Sequence, residues 1–256
     1  MSYYKNIFSL KNKLAFVIGG SGLIGKEVVK CLLQYQAKVI NLDIKKNSLC
    51  KENVFFDCSD LFNFENNYLR VLKDFGVPHI LINCSYPRSR DWKENTFLKI
   101  KNKSFYSNIQ NHFNSYILLS RITGNLMVNK KIKGSIILLG SIYGIVGQDM
   151  EIYKKTNIQE NLTYSVIKGG IISFTKQMAS FYGKYNIRVN CVCPGGILDR
   201  KNLKDVNFIK NYSKRVPLRR LGRGREISNA ILFLSSNASS YITGSVVVVD
   251  GGWTCI

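Results

Sequence analysis

Ser141, Tyr164 and Lys168 have the residue types and spacing of an acid–base centre. Tyr164 and Lys168 open the run Tyr-Ser-Val-Ile-Lys-Gly-Gly, which continues into Ile171, Ile172, Phe174 and Met178 at helical spacing. Both are therefore expected on one helix face. A lysine cation one turn from a phenol favours phenolate and lowers its pKa from the usual ~10. A tyrosine tuned in this way can take or give a proton near neutral pH. Ser141, in Gly-Ser-Ile-Tyr-Gly, adds a hydroxyl that can hydrogen-bond the reacting oxygen. A Tyr-x-x-x-Lys pair by itself is common on solvated helices, so the surrounding elements decide its meaning.

Those elements begin with a nucleotide-binding pattern. Leu14–Ile18 is a continuous apolar run of the kind that forms a buried parallel strand. It leads into Gly19-Gly-Ser21-Gly22-Leu23-Ile24-Gly25 and then a helical stretch. Glycines at such a turn let backbone approach a pyrophosphate, whose charge then meets the amides of the helix start. A second apolar run ends in Asp43, a carboxylate placed to accept both hydroxyls of an adenosine ribose and to repel a 2′-phosphate. This points to NAD, while Lys45 and Lys46 beside it keep NADP open.

Strands are predicted at 14–18, 38–42, 53–56, 79–83, 135–139, 188–192 and 245–249, and helices near 23–35, 61–75, 108–128, 162–182 and 226–235. The alternation predicts an α/β, doubly wound parallel sheet with helices on both faces, in one domain over 1–256. Ligands of such sheets bind beyond the carboxyl ends of the strands, where Gly19–Gly25, Asp43, Asn83, Ser141 and Pro194 all fall. The opening residues carry no apolar signal core, and no apolar run reaches membrane-spanning length, so a cytoplasmic location is expected. The seven cysteines contain no Cys-x-x-Cys and read as free thiols, with no metal site. With 37 basic and 16 acidic residues the chain carries a net +21, but the lysines are scattered, and nucleic acid is not the partner this distribution favours.

Over essentially its full length the chain resembles the short-chain dehydrogenase/reductase family. Ser141, Tyr164 and Lys168 match the family's catalytic residues, and Asp57 in Phe-Phe-Asp-Cys-Ser-Asp matches its adenine-contacting acid. Asn83 matches the first residue of the family's Asn-Asn-Ala-Gly, and Pro194-Gly195-Gly196-Ile197 matches its nicotinamide loop. Ile242-Thr-Gly through Val249-Asp-Gly-Gly252 matches its C-terminal motif. The resemblance implies cofactor contacts from Gly19, Ser21, Gly22, Leu23, Ile24, Gly25, Asp43, Asp57, Asn83, Tyr164, Lys168, Pro194, Gly195 and Ile197. It also implies a homo-oligomer, dimer or tetramer, and loops over the substrate at about 86–107, 144–162 and 197–216.

The departures carry information. The glycine motif has its middle glycine one place earlier than the family's usual form, and Asp199 replaces the usual threonine after the Pro-Gly loop. His112, Asn111 and Asn114 compete for the position of the family's catalytic asparagine. Ser141 and Tyr164 are separated by 23 positions, more than the family usually has. With Tyr86-Pro-Arg88, this insert resembles the flagellin-modification dehydrogenases of nonulosonic acid pathways. That branch implies a phosphorylated or nucleotide-activated sugar, with Tyr86, Arg88 and Tyr143 as substrate contacts. Arginine forks match phosphate oxygens, so Arg88 suits an anionic substrate, as do Arg200, Lys201 and Lys204 in the last loop. The alternatives are a 3-oxoacyl-carrier-protein reductase and a catalytically inactive dinucleotide-binding scaffold.

Overall fold

The computed structural model describes residues 6–199 and 203–256. Seven parallel strands form one sheet: β1 (Leu14–Ile18), β2 (Lys38–Asp43), β3 (Glu52–Phe55), β4 (Ile80–Asn83), β5 (Ser135–Leu139), β6 (Arg188–Pro194) and β7 (Val246–Val249). Their spatial order is β3-β2-β1-β4-β5-β6-β7. The helices are α1 (Gly25–Gln34), α2 (Phe64–Phe75), α3 (Asn102–Asn108), α4 (Asn114–Asn129), α5 (Leu162–Tyr182), α6 (Val206–Arg215) and α7 (Gly224–Ser235).

The central strands β1, β4 and β5 are largely apolar and buried, because both sheet faces are covered there. Their two-residue period divides the core. Phe16 and Ile18 of β1, Leu81 of β4 and Ile136 and Leu138 of β5 pack with Tyr116, Leu119, Ile167 and Ile171 from α4 and α5. Ala15, Val17, Ile82 and Ile137 point the other way, onto Val28, Val29, Leu32, Ile227 and Ile231 of α1 and α7. No described helix is long and apolar enough to cross a membrane.

Strand order sets where ligands can sit. From β1 the chain builds outward through β2 and β3, then crosses back to β4 on the other side. Ile18 is thus in register with both Leu42 and Asn83, and the connections leave these strand ends in opposite directions. A crevice opens at that reversal. The seven predicted strands are all present: 14–18 and 135–139 keep their predicted bounds, and the ends of the others shift by at most two residues.

Two regions differ from the sequence expectation. The helix expected over 108–128 is broken, because a π-helical turn at Ile109–Phe113 separates α3 from α4. Such single π turns recur at functional sites. The segment 197–216, expected as a loop, contains α6, capped by Asp205 accepting from the Phe208 amide.

At the start of α1 the backbone packs too closely for any side chain. A Cβ on Gly25 would lie 2.1 Å from the Gly19 carbonyl oxygen and 2.7 Å from Gly20 Cα. Backbone cannot move aside cheaply, so Gly25→Ala is expected to cost ~1–3 kcal/mol. Calorimetry should then show a Tm lower by several degrees, at roughly 2–4 °C per kcal/mol for a chain of this size. An unchanged Tm would mean that the turn and helix do not depend on this contact.

Candidate active site

The glycine-turn end of the crevice is built by backbone. Gly19 turns the chain with φ +74°, and a Cβ there would come within 2.8 Å of the Ser85 backbone. Asp43 ends β2, with Oδ2 accepting from the Ser21 amide and Oδ1 from the Lys45 amide, each at 2.9 Å. A carboxylate has about four acceptor directions, so both oxygens keep room for a hydroxyl. The Ser21 hydroxyl is occupied: it donates to the Lys45 carbonyl at 2.6 Å and accepts from Asn41. Among the residues after Ser21, the Gly22 amide donates to the Gly19 carbonyl, and Leu23 and Ile24 lead into α1, where the Lys26 amide donates back to Gly22 and the Glu27 and Val28 amides to Ile24.

Asp57 follows β3 and accepts from the Ser59 amide and hydroxyl, at 2.8 and 2.6 Å. Asn83 ends β4; its Oδ1 accepts from Ser85, while its buried Nδ2 has no hydrogen-bond partner among the described residues. At the other end, Pro194 finishes β6, the Gly195 amide donates to Val249, and Ile197 bridges to Gly222. The Gly196 amide donates to the Tyr212 hydroxyl, which seats α6 on this loop. A tight glycine turn, the Asp43 carboxylate at the end of β2 and the unpaired Asn83 amide nitrogen fit a dinucleotide.

Tyr164 and Lys168 lie in the first two turns of α5, whose start is fixed by Asn161, with Oδ1 accepting from the Tyr164 amide at 2.9 Å. An asparagine three residues before the tyrosine is a capping signal that was readable in the sequence. Lys168 is buried and donates to the Leu139 carbonyl at 2.7 Å, where β5 ends. Its ammonium also lies 5.0 Å from the Tyr116 ring and 5.7 Å from the Tyr164 ring. Gly144 brings the Ser141 turn against this helix, because a Cβ there would sit 2.6 Å from the Lys168 backbone. The three catalytic candidates thus share one pocket wall.

The electrostatics reverse the expectation from spacing. Burial raises the Tyr164 phenol above its ordinary value, and the Ser141 hydrogen bond lowers it only in part. Burial also lowers Lys168 from 10.5 to about 8, against a smaller upward pull from the Cys191, Cys193 and Cys84 thiols. Spacing reports only the cation one turn away and not the burial of both groups. Here desolvation of both groups outweighs their attraction.

The wall facing Tyr164 is aromatic. The rings of Tyr86 and Trp92 meet Tyr164 edge-on at 5.8 and 6.3 Å, and Tyr86 also meets His112 at 5.2 Å. Arg88 stacks over Tyr86 at 4.9 Å. Of the three competitors on the helix before Ser141, His112 is the buried one, held inward by the π turn; Asn111 and Asn114 are only partly buried.

Side-chain amides join the three loops, a connection that no local sequence pattern signals. Asn95 binds Asp91, Ser104 and Thr163. Gln148 donates to the Asn161 carbonyl and Ser165, and accepts from Tyr153 and the Asn161 amide. Tyr153 then packs on Phe208 of α6, and Asn211 of α6 reaches back to the Lys154 carbonyl. The insert between Ser141 and Tyr164 therefore docks on α6, next to Tyr143 and Trp253. Arg200 and Lys201 lie outside the described residues.

Comparison with known proteins agrees with this geometry. The profile of a family described as Enoyl-(Acyl carrier protein) reductase matches residues 22–254. The chain is 31% identical to post-translational flagellin modification protein A of Campylobacter coli, over 95% of this chain and 99% of that one. It is 32% identical to 3-oxoacyl-[acyl-carrier-protein] reductase FabG of Chlamydia muridarum, over 95% and 98%. A solved short-chain dehydrogenase from Leptospira borgpetersenii with bound NAD+ superposes with a TM-score of 0.85 at 34% identity, covering 95% of this chain and 93% of that one.

The buried lysine gives a pH signature. Its folded-state pKa is below its unfolded one, so the unfolded chain binds more protons between about 8 and 10.5, and the Lys168 contribution becomes more stabilising as pH rises through that window. Urea unfolding of wild type and Lys168→Met should show a stability difference that moves in favour of wild type by ~2–3 kcal/mol across it. A difference flat with pH would contradict the buried charge.

Proposed function

The chain belongs to the short-chain dehydrogenase/reductase family of NAD(P)-dependent oxidoreductases, and we propose that it interconverts a hydroxyl and a carbonyl on an anionic, phosphorylated or nucleotide-activated sugar in bacterial surface-glycan synthesis. The observation that carries this reading is the meeting of Ser141, Tyr164 and Lys168 on the rim that also holds the Gly19–Gly25 turn and Asp43. The sugar is supported by the likeness to a flagellin-modification protein and by Arg88, which forms no ion pair with a carboxylate among the described residues. The loops at 86–107, 144–162 and 197–216 surround the substrate in this reading.

Bound NAD(P) supplies the hydride acceptor or donor. In oxidation Tyr164 takes the proton of the substrate hydroxyl; in reduction it returns one. Ser141 hydrogen-bonds the same oxygen and stabilises charge as it develops. Lys168 anchors α5 to the end of β5 and would hold the cofactor ribose. Because burial keeps the Tyr164 phenol protonated at rest, oxidation should quicken toward alkaline pH, where more of the base form exists. Tyr106, Val166 and Phe181, on α3 and α5, are exposed by 61%, 46% and 53%, which supports a homo-oligomer.

A second reading, reduction of a 3-oxoacyl carrier-protein thioester, draws on the likeness to FabG. One assay separates the two: following NAD(P) reduction or NAD(P)H oxidation with a panel of sugar phosphates, nucleotide sugars and an acetoacetyl thioester. The proposal expects turnover with a sugar, and exclusive turnover of the thioester would overturn it. Tyr164→Phe is expected to reduce turnover by orders of magnitude with cofactor affinity nearly intact; loss of both in binding titrations would contradict its role. Asp43→Ala should weaken NAD binding and relax discrimination against NADP, and a wild type that prefers NADP would refute that assignment.

A further inference from the structure

A cavity of about 580 Å³ lies at the opposite end of the sheet from the catalytic rim. It is lined by the first residues of β4, β5 and β6, which are Ile80, Ser135 and Arg188, and by the segment after α7 that carries Tyr241. A space of this size suits a small organic ligand. Lys13, His79, Lys133 and Arg188 all line it, and among the described residues no aspartate or glutamate does.

Arg188 separates this cavity from an ordinary solvated basic surface. Its guanidinium donates to the Ser239 hydroxyl at 2.9 Å and to the Leu234, Ser236 and Ile242 carbonyls at 2.8, 3.2 and 3.5 Å. All four acceptors are neutral, and no carboxylate pairs with Arg188, Lys13 or Lys133 among the described residues. A half-buried cation held in place without a counter-charge attracts an anion, and salt screens it less than an exposed one. His79 adds a donor, because its Nδ1 accepts from the Leu14 amide at 3.2 Å and the neutral ring then carries its proton on Nε2. Burial and the nearby Lys13 cation both hold His79 below its usual pKa, which places that lysine close to the imidazole. The Arg188 Nε and the His79 Nε2 have no partner among the described residues, and neither is sealed from solvent. Tyr241, fully exposed, brings an aromatic face to the same cavity, and heterocycles stack on such rings.

We propose that this cavity binds a nucleoside phosphate, with Lys13, His79, Lys133 and Arg188 around the phosphates and Tyr241 stacked on the base. Phosphate oxygens accept from all four donors and supply the negative charge that the lining lacks. The site lies at the other end of the strands from Tyr164 and does not rest on the reaction proposed above.

Isothermal titration calorimetry on the whole protein tests this, with NAD+ saturating the crevice and with ADP, inorganic pyrophosphate and adenosine as probes. ADP should bind, pyrophosphate should bind roughly tenfold more weakly, and adenosine should show no measurable heat. Replacing both lysines, Lys13→Ala with Lys133→Ala, should weaken ADP by roughly tenfold or more. Tyr241→Ala should bring ADP down to the pyrophosphate level and leave pyrophosphate itself unchanged. The side chains of Lys13, Lys133 and Tyr241 make no hydrogen bond or ion pair among the described residues, so the Tm of these variants should hold. Arg88→Ala, beside Tyr86 on the catalytic rim, should leave ADP affinity as it is. No ADP binding to wild type, full affinity in the double lysine variant, or a loss in Arg88→Ala would overturn the proposal. ADP that binds no tighter than pyrophosphate would overturn the nucleoside assignment.

Discussion

The hydrogen bond from the Lys168 ammonium to the Leu139 carbonyl is the contact on which the candidate site depends. It fastens the first turns of α5 to the end of β5, and so sets Tyr164 against the Ser141 turn that leaves the same strand. The contact is made inside the protein, where a charge is expensive, and the lowered lysine pKa is the measure of that expense. A site that tolerates this cost gains a cation whose position is fixed before any ligand arrives.

Fixed position also describes the surrounding loops. The 86–107 segment is tied to the start of α5 through Asn95 and Thr163, and the insert is tied to it through Gln148 and Asn161. Through Tyr153 and Phe208 the same insert holds α6, which is seated on the loop after β6 by way of Tyr212 and Gly196. Three segments distant in sequence therefore act as one wall around Tyr164.

The parts of this arrangement that were legible in sequence are those governed by local patterns. Apolar runs such as Leu14–Ile18, the glycine turn and Asp43 declare strands, crossovers and a dinucleotide site because two-residue and 3.6-residue periods survive in the chain. The break at Ile109–Phe113 was hidden, since a π turn inserts one residue without altering composition. The docking of the insert on α6 was hidden as well, because it depends on amides whose partners are far away in sequence. The ionisation of Tyr164 was misjudged for a related reason: spacing reports the neighbouring cation, whereas burial is a property of the folded chain and here has the larger effect.

The central claim is that a carbon-bound hydrogen passes between a hydroxylated anionic substrate and the nicotinamide, with Tyr164 handling the proton. Deuterium placed on the reacting carbon of the sugar that wild type oxidises tests this directly, read by mass spectrometry of the nicotinamide after incubation with the oxidised cofactor. The account predicts labelled NADH from wild type and only traces from Tyr164→Phe. Label that appears at the same rate in the variant, or unlabelled NADH from wild type, would contradict it.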